Sequence, residues 1–515
     1  MSSKPIVTLG VSDTNAQSCQ GRRTWLVLAL LLALAAVARV LSFRGYYHSD
    51  AGHYARLAHQ MASGQFKICW QGIFATRVGL FAPVALAFKV GGVNEVTLTA
   101  YPLLLSMLGI LVAYLATKAM LGTRAGLVAA CLAAFLPIDL WSASWLLPDM
   151  PAALWMNAGV LLVYIGSQQK GLLGKVVSGA LAGLALGVSW LHKETVLYLL
   201  PFVGFYALWL VVKNRRNVAL LIAGTALALL LVGLESWTYH RYTGDYLFRY
   251  HEIYRNYDAS AMPIVANPIP VVGLTGIGKY LVHRTKEVTR AMFLNPDFAL
   301  ILAGALIACA YAAFMKSRHF VFPALWFGWL LLVYSFGSAS LRLYQPLSMD
   351  QARFLYPMLL PAILLASGLL GSLLSPLDVG ESSNLRRERL FWGGLMSICI
   401  AGVALLMTAR HISAGMGRPC RVERELSRVL KPTDPLYTDY HTKMRLEFFW
   451  GYPPADSTHD WESKPLSQIP PEAYVLLNRD RRAYADQTRD GIPSGWQKLR
   501  VMDNATLYRV SPATR

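Results

Sequence analysis

Val78-Gly-Leu-Phe-Ala-Pro-Val-Ala-Leu-Ala-Phe-Lys-Val-Gly-Gly92 is the run on which the topology turns. It is apolar but short, and Pro83 and Lys89 interrupt it. Crossing the hydrocarbon core of a bilayer takes about 20 apolar residues. Eleven other runs come close to that length: 24–43, 97–118, 124–140 (a short one), 150–168, 173–191, 196–213, 217–237, 298–316, 320–338, 354–375 and 390–409. Whether 78–92 also crosses sets the side of every later loop. If it does not, one set of short loops carries Arg22-Arg23, Lys118/Arg124, Lys170/Lys175, Lys213/Arg215/Arg216, Lys316/Arg318 and Arg386/Arg387/Arg389. The opposite set is nearly free of Lys and Arg between 139 and 150. It has only Lys193 near 192–195, and Arg342 and Arg353 near 339–353. Basic residues concentrate in cytoplasmic loops, so this parity obeys the rule and the other inverts it. Residues 78–92 are therefore an interfacial or re-entrant helix within a long outer loop, 44–96.

The chain of 515 residues is 55% hydrophobic and only 15% charged, whereas soluble domains carry about 25% charged residues. These values and the eleven runs define a multi-pass α-helical membrane protein. The net charge of +19 raises nucleic acid as a partner. From 411 onward, however, acids and bases nearly balance, so the excess lies among the apolar runs. No nucleic-acid-binding motif accompanies it, and nucleic acid is excluded as a partner. The first span is too long for a cleaved signal peptide, and no A-x-A site follows it. The expected organisation is a cytoplasmic tail, 1–23, and a transmembrane domain, 24–410, with outer loops 44–96 and 238–297. A small α/β periplasmic domain, 411–515, follows. Its strand-like runs are 435–438, 474–477 and 506–510, with a helix at 420–430.

The ionisable residues at span ends collect on the outer face. They are Asp50 and His53, Asp139 and Asp149, His192-Lys193-Glu194, and Arg342, Asp350 and Arg353. Each alone reads as an ordinary interfacial residue. Charges at membrane depth are costly and are usually paired or functional, so a cluster on one face reads as a site. Tyr46-Tyr47-His48-Ser49-Asp50-Ala51-Gly52-His53-Tyr54 sets a carboxylate just beyond the first span. A carboxylate can take the proton of an acceptor hydroxyl as that hydroxyl attacks a sugar C1. A phosphate leaving group needs cations instead of a second acid, and Lys193, Arg353 and Arg342 supply them.

Several stretches, in order, resemble the GT-C glycosyltransferases, the superfamily of protein O-mannosyltransferases and lipid A aminoarabinose transferases. "YYHSDAGHYARLAHQMASGQF" is similar to their first outer loop, "FLPIDLWSASWLLPDMPAALW" to the second, and "GLALGVSWLHKETVLYLLP" to the Gly-rich span ending in Lys. "YTGDYLFRY", "ARFLYPMLLPAILL" and "PLYTDYHTKMRLEFFWGYPP" continue the likeness. It implies the GT-C fold and an inverting transfer from a polyprenyl-phosphate sugar donor. The acceptor would be a glycolipid, polysaccharide or protein on the periplasmic side of the inner (plasma) membrane. By the same resemblance Asp50 is catalytic, Asp149 is a second acid near it, and Lys193 and Arg353 serve the donor phosphate. His53, Tyr54, Glu194 and Tyr356 complete the candidates. The chain departs from the family at Ala51, where many members have a second acid. Some members bind a metal, but Asp50, His53 and Asp149 form no recognisable ligand spacing, so neither metal nor other cofactor is expected. Gly273 to Lys279 imitates a phosphate-binding loop, yet Tyr280 replaces its Ser/Thr. Cys69 and Cys420 both fall outside and are either a disulfide or two separate thiols. The rival function is a transporter or flippase for a lipid-linked sugar. It calls for mid-membrane charges and an internal repeat, and the sequence offers neither.

Overall fold

The computed structural model describes residues 13–47, 49–68, 72–257, 273–293, 296–338, 347, 352–373, 409–410, 420–453, 457–460, 466–478, 488 and 491–511. Helix α1 (Asp13–Leu41) contains the first span. It is followed by α2 (Ser49–Ala62) and α3 (Val78–Gly91), which lie in the segment expected to be the first outer loop. Next come α4 (Glu95–Leu121), α5 (Thr123–Ala134), α6 (Pro137–Ser142), α7 (Asp149–Gln168) and α8 (Leu172–His192). After these lie α9 (Leu200–Lys213), α10 (Asn217–Thr243), α11 (Phe248–Tyr257), α12 (Gly273–Phe293), α13 (Pro296–Phe314), α14 (Val321–Phe336) and α15 (Tyr356–Leu373). Among the described residues, 8 helices are long and apolar enough to cross a membrane, and three shorter apolar helices accompany them. Ten of the expected spans are thus helical, and 390–409 lies outside the described residues apart from its last residue.

At 14 residues α3 is about 21 Å long, well short of the ~30 Å hydrocarbon core. It buries Leu80, Phe81, Val84, Ala85 and Phe88 and packs on α2 and α4. The chain then reverses at Gly92, whose φ of 73° suits glycine. Asn94 starts α4 with a reciprocal capping box to Thr97. The run at 124–140 is two helices rather than one. A residue before proline disfavours the helical region, so α5 stops at Ala134 and α6 restarts with Pro137 in its first turn. The imitation phosphate loop is also helical, since Gly273 to Lys279 open α12.

Two features position the helix ends that carry Asp149, Lys193 and Arg353. First, α8 carries Gly179 and Gly183 one turn apart against α10. A Cβ at Gly179 would collide with the Leu220 carbonyl, and one at Gly183 with the Gly224 carbonyl. Only glycine allows this backbone approach, as in small-xxx-small packing. Second, α15 runs through the interior with 94% of its apolar window buried. It therefore fixes what precedes it, the short turn Ala352–Leu355.

The C-terminal segment holds α16 (Arg421–Val429), α17 (Tyr440–Phe449) and five strands. The strands are β1 (Leu436–Thr438), β2 (Thr458–Asp460), β3 (Tyr474–Asn478), β4 (Trp496–Met502) and β5 (Ala505–Val510). Their sheet order is β2-β1-β3-β5-β4, with β1 parallel to β2 and β3 and the other pairs antiparallel. The helix and the strands expected from the sequence correspond to α16, β1, β3 and β5. The sequence reading did not anticipate α17, β2 or β4. This unit is bolted to the segment between α1 and the start of α4. Arg424 donates to Glu95, with Nη2–Oε1 at 2.5 Å, and the Cys420 thiol donates to the Tyr46 carbonyl at 3.2 Å. Tyr46 stacks on Phe448 at 4.5 Å, and Arg56 pairs with Glu447. Cys69 lies outside the described residues.

Substituting Gly183→Leu forces α8 and α10 apart. Overpacking of this kind costs about 1–3 kcal/mol, or more where backbone is struck. The expected result is a lower apparent Tm and a loss of monodisperse protein on gel filtration. Gly204→Leu, where a Cβ meets open space, is the control that should change little.

Candidate functional site

Helices α7 and α8 are antiparallel neighbours of 20 and 21 residues joined by a three-residue link, Gln169–Gly171. Matched lengths return the chain to the level at which it began. Asp149, in the first turn of α7, therefore faces Lys193, the residue that caps the end of α8. A carboxylate there also suits the positive end of the helix dipole. The Lys193 ammonium donates to Asp149 Oδ1 at 2.5 Å, and both side chains are buried.

Arg353, one turn ahead of Tyr356, joins this pair. Its Nε lies 3.9 Å from Asp149 Oδ2, and both Nη atoms lie 3.4 Å from Asp50 Oδ2. Phe354 serves both cations, with Lys193 Nζ 4.8 Å and the Arg353 guanidinium 5.2 Å from its ring centre. Asp50 stands in the first turn of α2, and its side chain is 30% exposed against 5% for Asp149. The cluster thus opens outward at Asp50.

One helical turn beyond Asp50, Tyr54 is buried, and its hydroxyl accepts from Arg77 Nη1 at 2.6 Å. Burial pushes its phenol up to about 12, so it stays protonated at neutral pH. His53 stacks on Phe74 at 4.5 Å. Burial, reinforced by Arg56 and opposed by Asp50, moves it below the ordinary histidine range. It is neutral at pH 7. Arg77 also pairs with Glu194 at 3.3 Å, and Arg249 approaches the other Glu194 oxygen at 4.0 Å. Arg249 Nη1 in turn reaches Glu235 at 2.7 Å and the Thr76 carbonyl at 3.0 Å, and its Nε and Nη2 have no hydrogen-bond acceptor.

The structure thus brings together Asp50, Asp149, Lys193 and Arg353, with His53 and Tyr54 on α2 behind them and Glu194 next to Lys193. Other candidates lie elsewhere. Tyr356 donates to the Ile138 carbonyl at 3.0 Å and contacts Ser142 and Asp139. Asp139 pairs with Arg39 and accepts from Ser106. Asp139 and Tyr356 line a separate cavity of about 70 Å³ that Asn157 also lines. His192 is buried between the Tyr101 hydroxyl at 2.8 Å and the Val188 carbonyl at 2.7 Å. Arg342 and Asp350 fall outside the described residues. Arg77, Arg249 and Glu235 were missed by the sequence reading. The overlooked signal was Glu235, a lone acid within the apolar run 217–237.

Among the described residues, no three His, Cys, Asp or Glu side chains group as metal ligands. Between Asp50 and Asp149, where a divalent ion would bridge two carboxylates, lies the Arg353 guanidinium. The donor set therefore does not fit a metal, and no step is routed through one.

Residues 74–243 match the model of the dolichyl-phosphate-mannose-protein mannosyltransferase (PMT) family. ArnT from Cupriavidus metallidurans in the apo state superposes with a TM-score of 0.58 at 15% identity, over 95% of this chain and 98% of that one. The same protein bound to undecaprenyl phosphate gives 0.57 at 14% over the same shares. The oligosaccharyltransferase AglB from Archaeoglobus fulgidus, in complex with an inhibitory peptide and a dolichol-phosphate, gives 0.57 at 12%. That match covers 96% of this chain and 75% of AglB. No curated protein matches the sequence. The chain is a multi-span membrane protein with the GT-C glycosyltransferase fold. The segment similar to the mannosyltransferase family contains Arg77, Asp149, Lys193 and Glu194.

Tyr54→Phe removes one hydrogen bond to a charged group and is expected to lower stability by about 1.5–3 kcal/mol. Arg77→Leu strips a buried carboxylate of a partner and is expected to cost more, about 3–5 kcal/mol. Apparent Tm values of the purified variants in detergent check the order.

Proposed function

We propose that the chain transfers one glycosyl group from a polyprenyl-phosphate donor to a hydroxyl acceptor at the outer membrane face. The membrane would be the bacterial inner membrane, with the site facing the periplasm. The observation that carries this reading is the convergence of a half-open carboxylate, Asp50, with two buried cations, Lys193 and Arg353, around Asp149. One carboxylate with adjacent cations suits displacement of a phosphate. It does not suit glycoside hydrolysis, which needs an acid for the leaving oxygen.

Asp50 accepts the proton of the acceptor hydroxyl as its oxygen attacks C1 of the sugar. The bond from C1 to the phosphate oxygen breaks, and the electron pair leaves with the polyprenyl phosphate. Attack opposite the leaving group inverts C1. Arg353 holds the departing phosphate with its planar fork. The Lys193 ammonium keeps one N–H on Asp149 and has two further donors for phosphate oxygens. Asp149 positions both cations. Glu194, between Arg77 and Arg249, fixes the backbone next to Lys193. The charges of this cluster lie at the outer ends of their helices rather than at mid-membrane, which favours a surface transferase over a transporter.

Asp50→Asn keeps the shape and removes the base. General-base catalysis contributes about 10²–10⁴-fold, so transfer should fall by at least about 100-fold. Mass spectrometry of envelope glycans and glycoproteins, with and without the gene, identifies the product to be followed. Transfer by Asp50→Asn at near the wild-type rate would refute this mechanism.

A further inference from the structure

Arg353 and Lys193 are held very differently. Lys193 makes a short contact to Asp149 at 2.5 Å. Both Arg353 Nη atoms share a single oxygen of Asp50 at 3.4 Å, while charge-assisted N–H···O bonds settle at about 2.7–2.9 Å. Its Nε is buried, has no hydrogen-bond acceptor, and stands 3.9 Å from Asp149. The guanidinium is thus stretched between two carboxylates and forms a good fork with neither. A phosphate offers the bidentate geometry that this fork matches. Asp50 cannot follow the guanidinium. Its helix α2 is clamped to the C-terminal unit by Arg56 on Glu447, and by Tyr46, just ahead of α2, on Phe448.

We propose that Arg353 is a latch on the base. In the substrate-free protein its guanidinium occupies Asp50, and the donor phosphate releases Asp50 by drawing the guanidinium away. The Asp50 oxygen that accepts from both Nη atoms is not open to an acceptor hydroxyl. Asp50 therefore becomes competent only when a lipid phosphate is seated. The donor binds first, and the site is quiet towards hydroxyl groups without it. This inference rests on the proposed lipid-phosphate transfer and adds its order and its gate.

The latch makes an uncommon forecast, that removing the catalytic charge tightens donor-side binding. In the wild type the phosphate must compete with Asp50 for Arg353, whereas in Asp50→Asn it need not. Undecaprenyl phosphate is the probe, titrated against the full-length protein in detergent with the fold checked by gel filtration. Asp50→Asn should bind it about five-fold or more tightly than wild type, within the usual range of coupling between sites. Arg353→Ala should bind weakly, and adding Asp50→Asn to Arg353→Ala should give no gain. The double-mutant cycle isolates the coupling. Should Arg353→Ala fail to fold, Arg353→Lys replaces it, and its compact charge should show a smaller gain.

Affinity unchanged or weakened in Asp50→Asn overturns the latch. An equal gain with Arg353 absent also overturns it, because the gain then comes from lost repulsion between Asp50 and phosphate. In both cases the wild type still binds the probe and the transfer reading stands. A wild-type protein that does not bind undecaprenyl phosphate overturns that reading and the latch with it.

Discussion

The pairing of Lys193 with Asp149 is the contact on which the charged end of the helix bundle depends. Neither charge is tolerable alone in a buried, apolar setting, because desolvation is repaid only by a close partner. Their meeting requires α7 and α8 to begin and end at one level. It also requires α10 to lie tight against α8 so that Glu235 and Trp190 come into register. The same logic extends outward. Among the described residues, Asp50, Asp149, Glu194 and Glu235 are met by Arg77, Lys193, Arg249 and Arg353, so the described charges balance. Neutrality allows so many charges to remain at the membrane boundary. It also means that an incoming anion must unbalance an existing set of pairs.

That set divides by tightness. Lys193, Arg77 and Arg249 are fixed by short contacts to carboxylates, hydroxyls or carbonyls. Arg353 is not. A site that must hold its shape and still admit a phosphate needs both kinds of cation. In the proposed transfer, the rigid ones hold the shape of the site and the loose one answers the phosphate. Phe354 keeps the two kinds side by side, since its ring face attracts both.

Much of this was legible in the sequence. Span lengths placed helix over ten of the expected runs, one of them (124–140) divided in two, and the short, proline-containing run at 78–92 is a 14-residue helix. Asp50, Asp149, Lys193 and Arg353 were found because each is an ionisable residue at the end of an apolar run. Arg77, Arg249 and Glu235 were not. Arg77 looked like an ordinary loop residue, Arg249 was lost among tyrosines and histidines, and Glu235 was hidden within a span. Their roles arise from tertiary burial, which no local pattern reports. Tyr356 erred in the other direction. It sits one turn from Arg353 in sequence, yet the helix aims it at Asp139 and Ser142. In the C-terminal unit, α17 was missed because its apolar and polar residues do not segregate onto two faces. That helix packs on α16, α2 and β2.

The clamp between α2 and the C-terminal unit has a consequence for biosynthesis. Tyr46 and Arg56 are made well before Cys420, Arg424, Glu447 and Phe448, with the described apolar helices in between. Through the synthesis of the described apolar helices, the helix that carries Asp50 therefore lacks the partners that clamp it. A chain released before residue 420 carries all of the charged cluster but none of that lock. The charged cluster and the clamp on its first helix are thus separated in order of synthesis, and α2 gains its last partners only when the C-terminal unit folds.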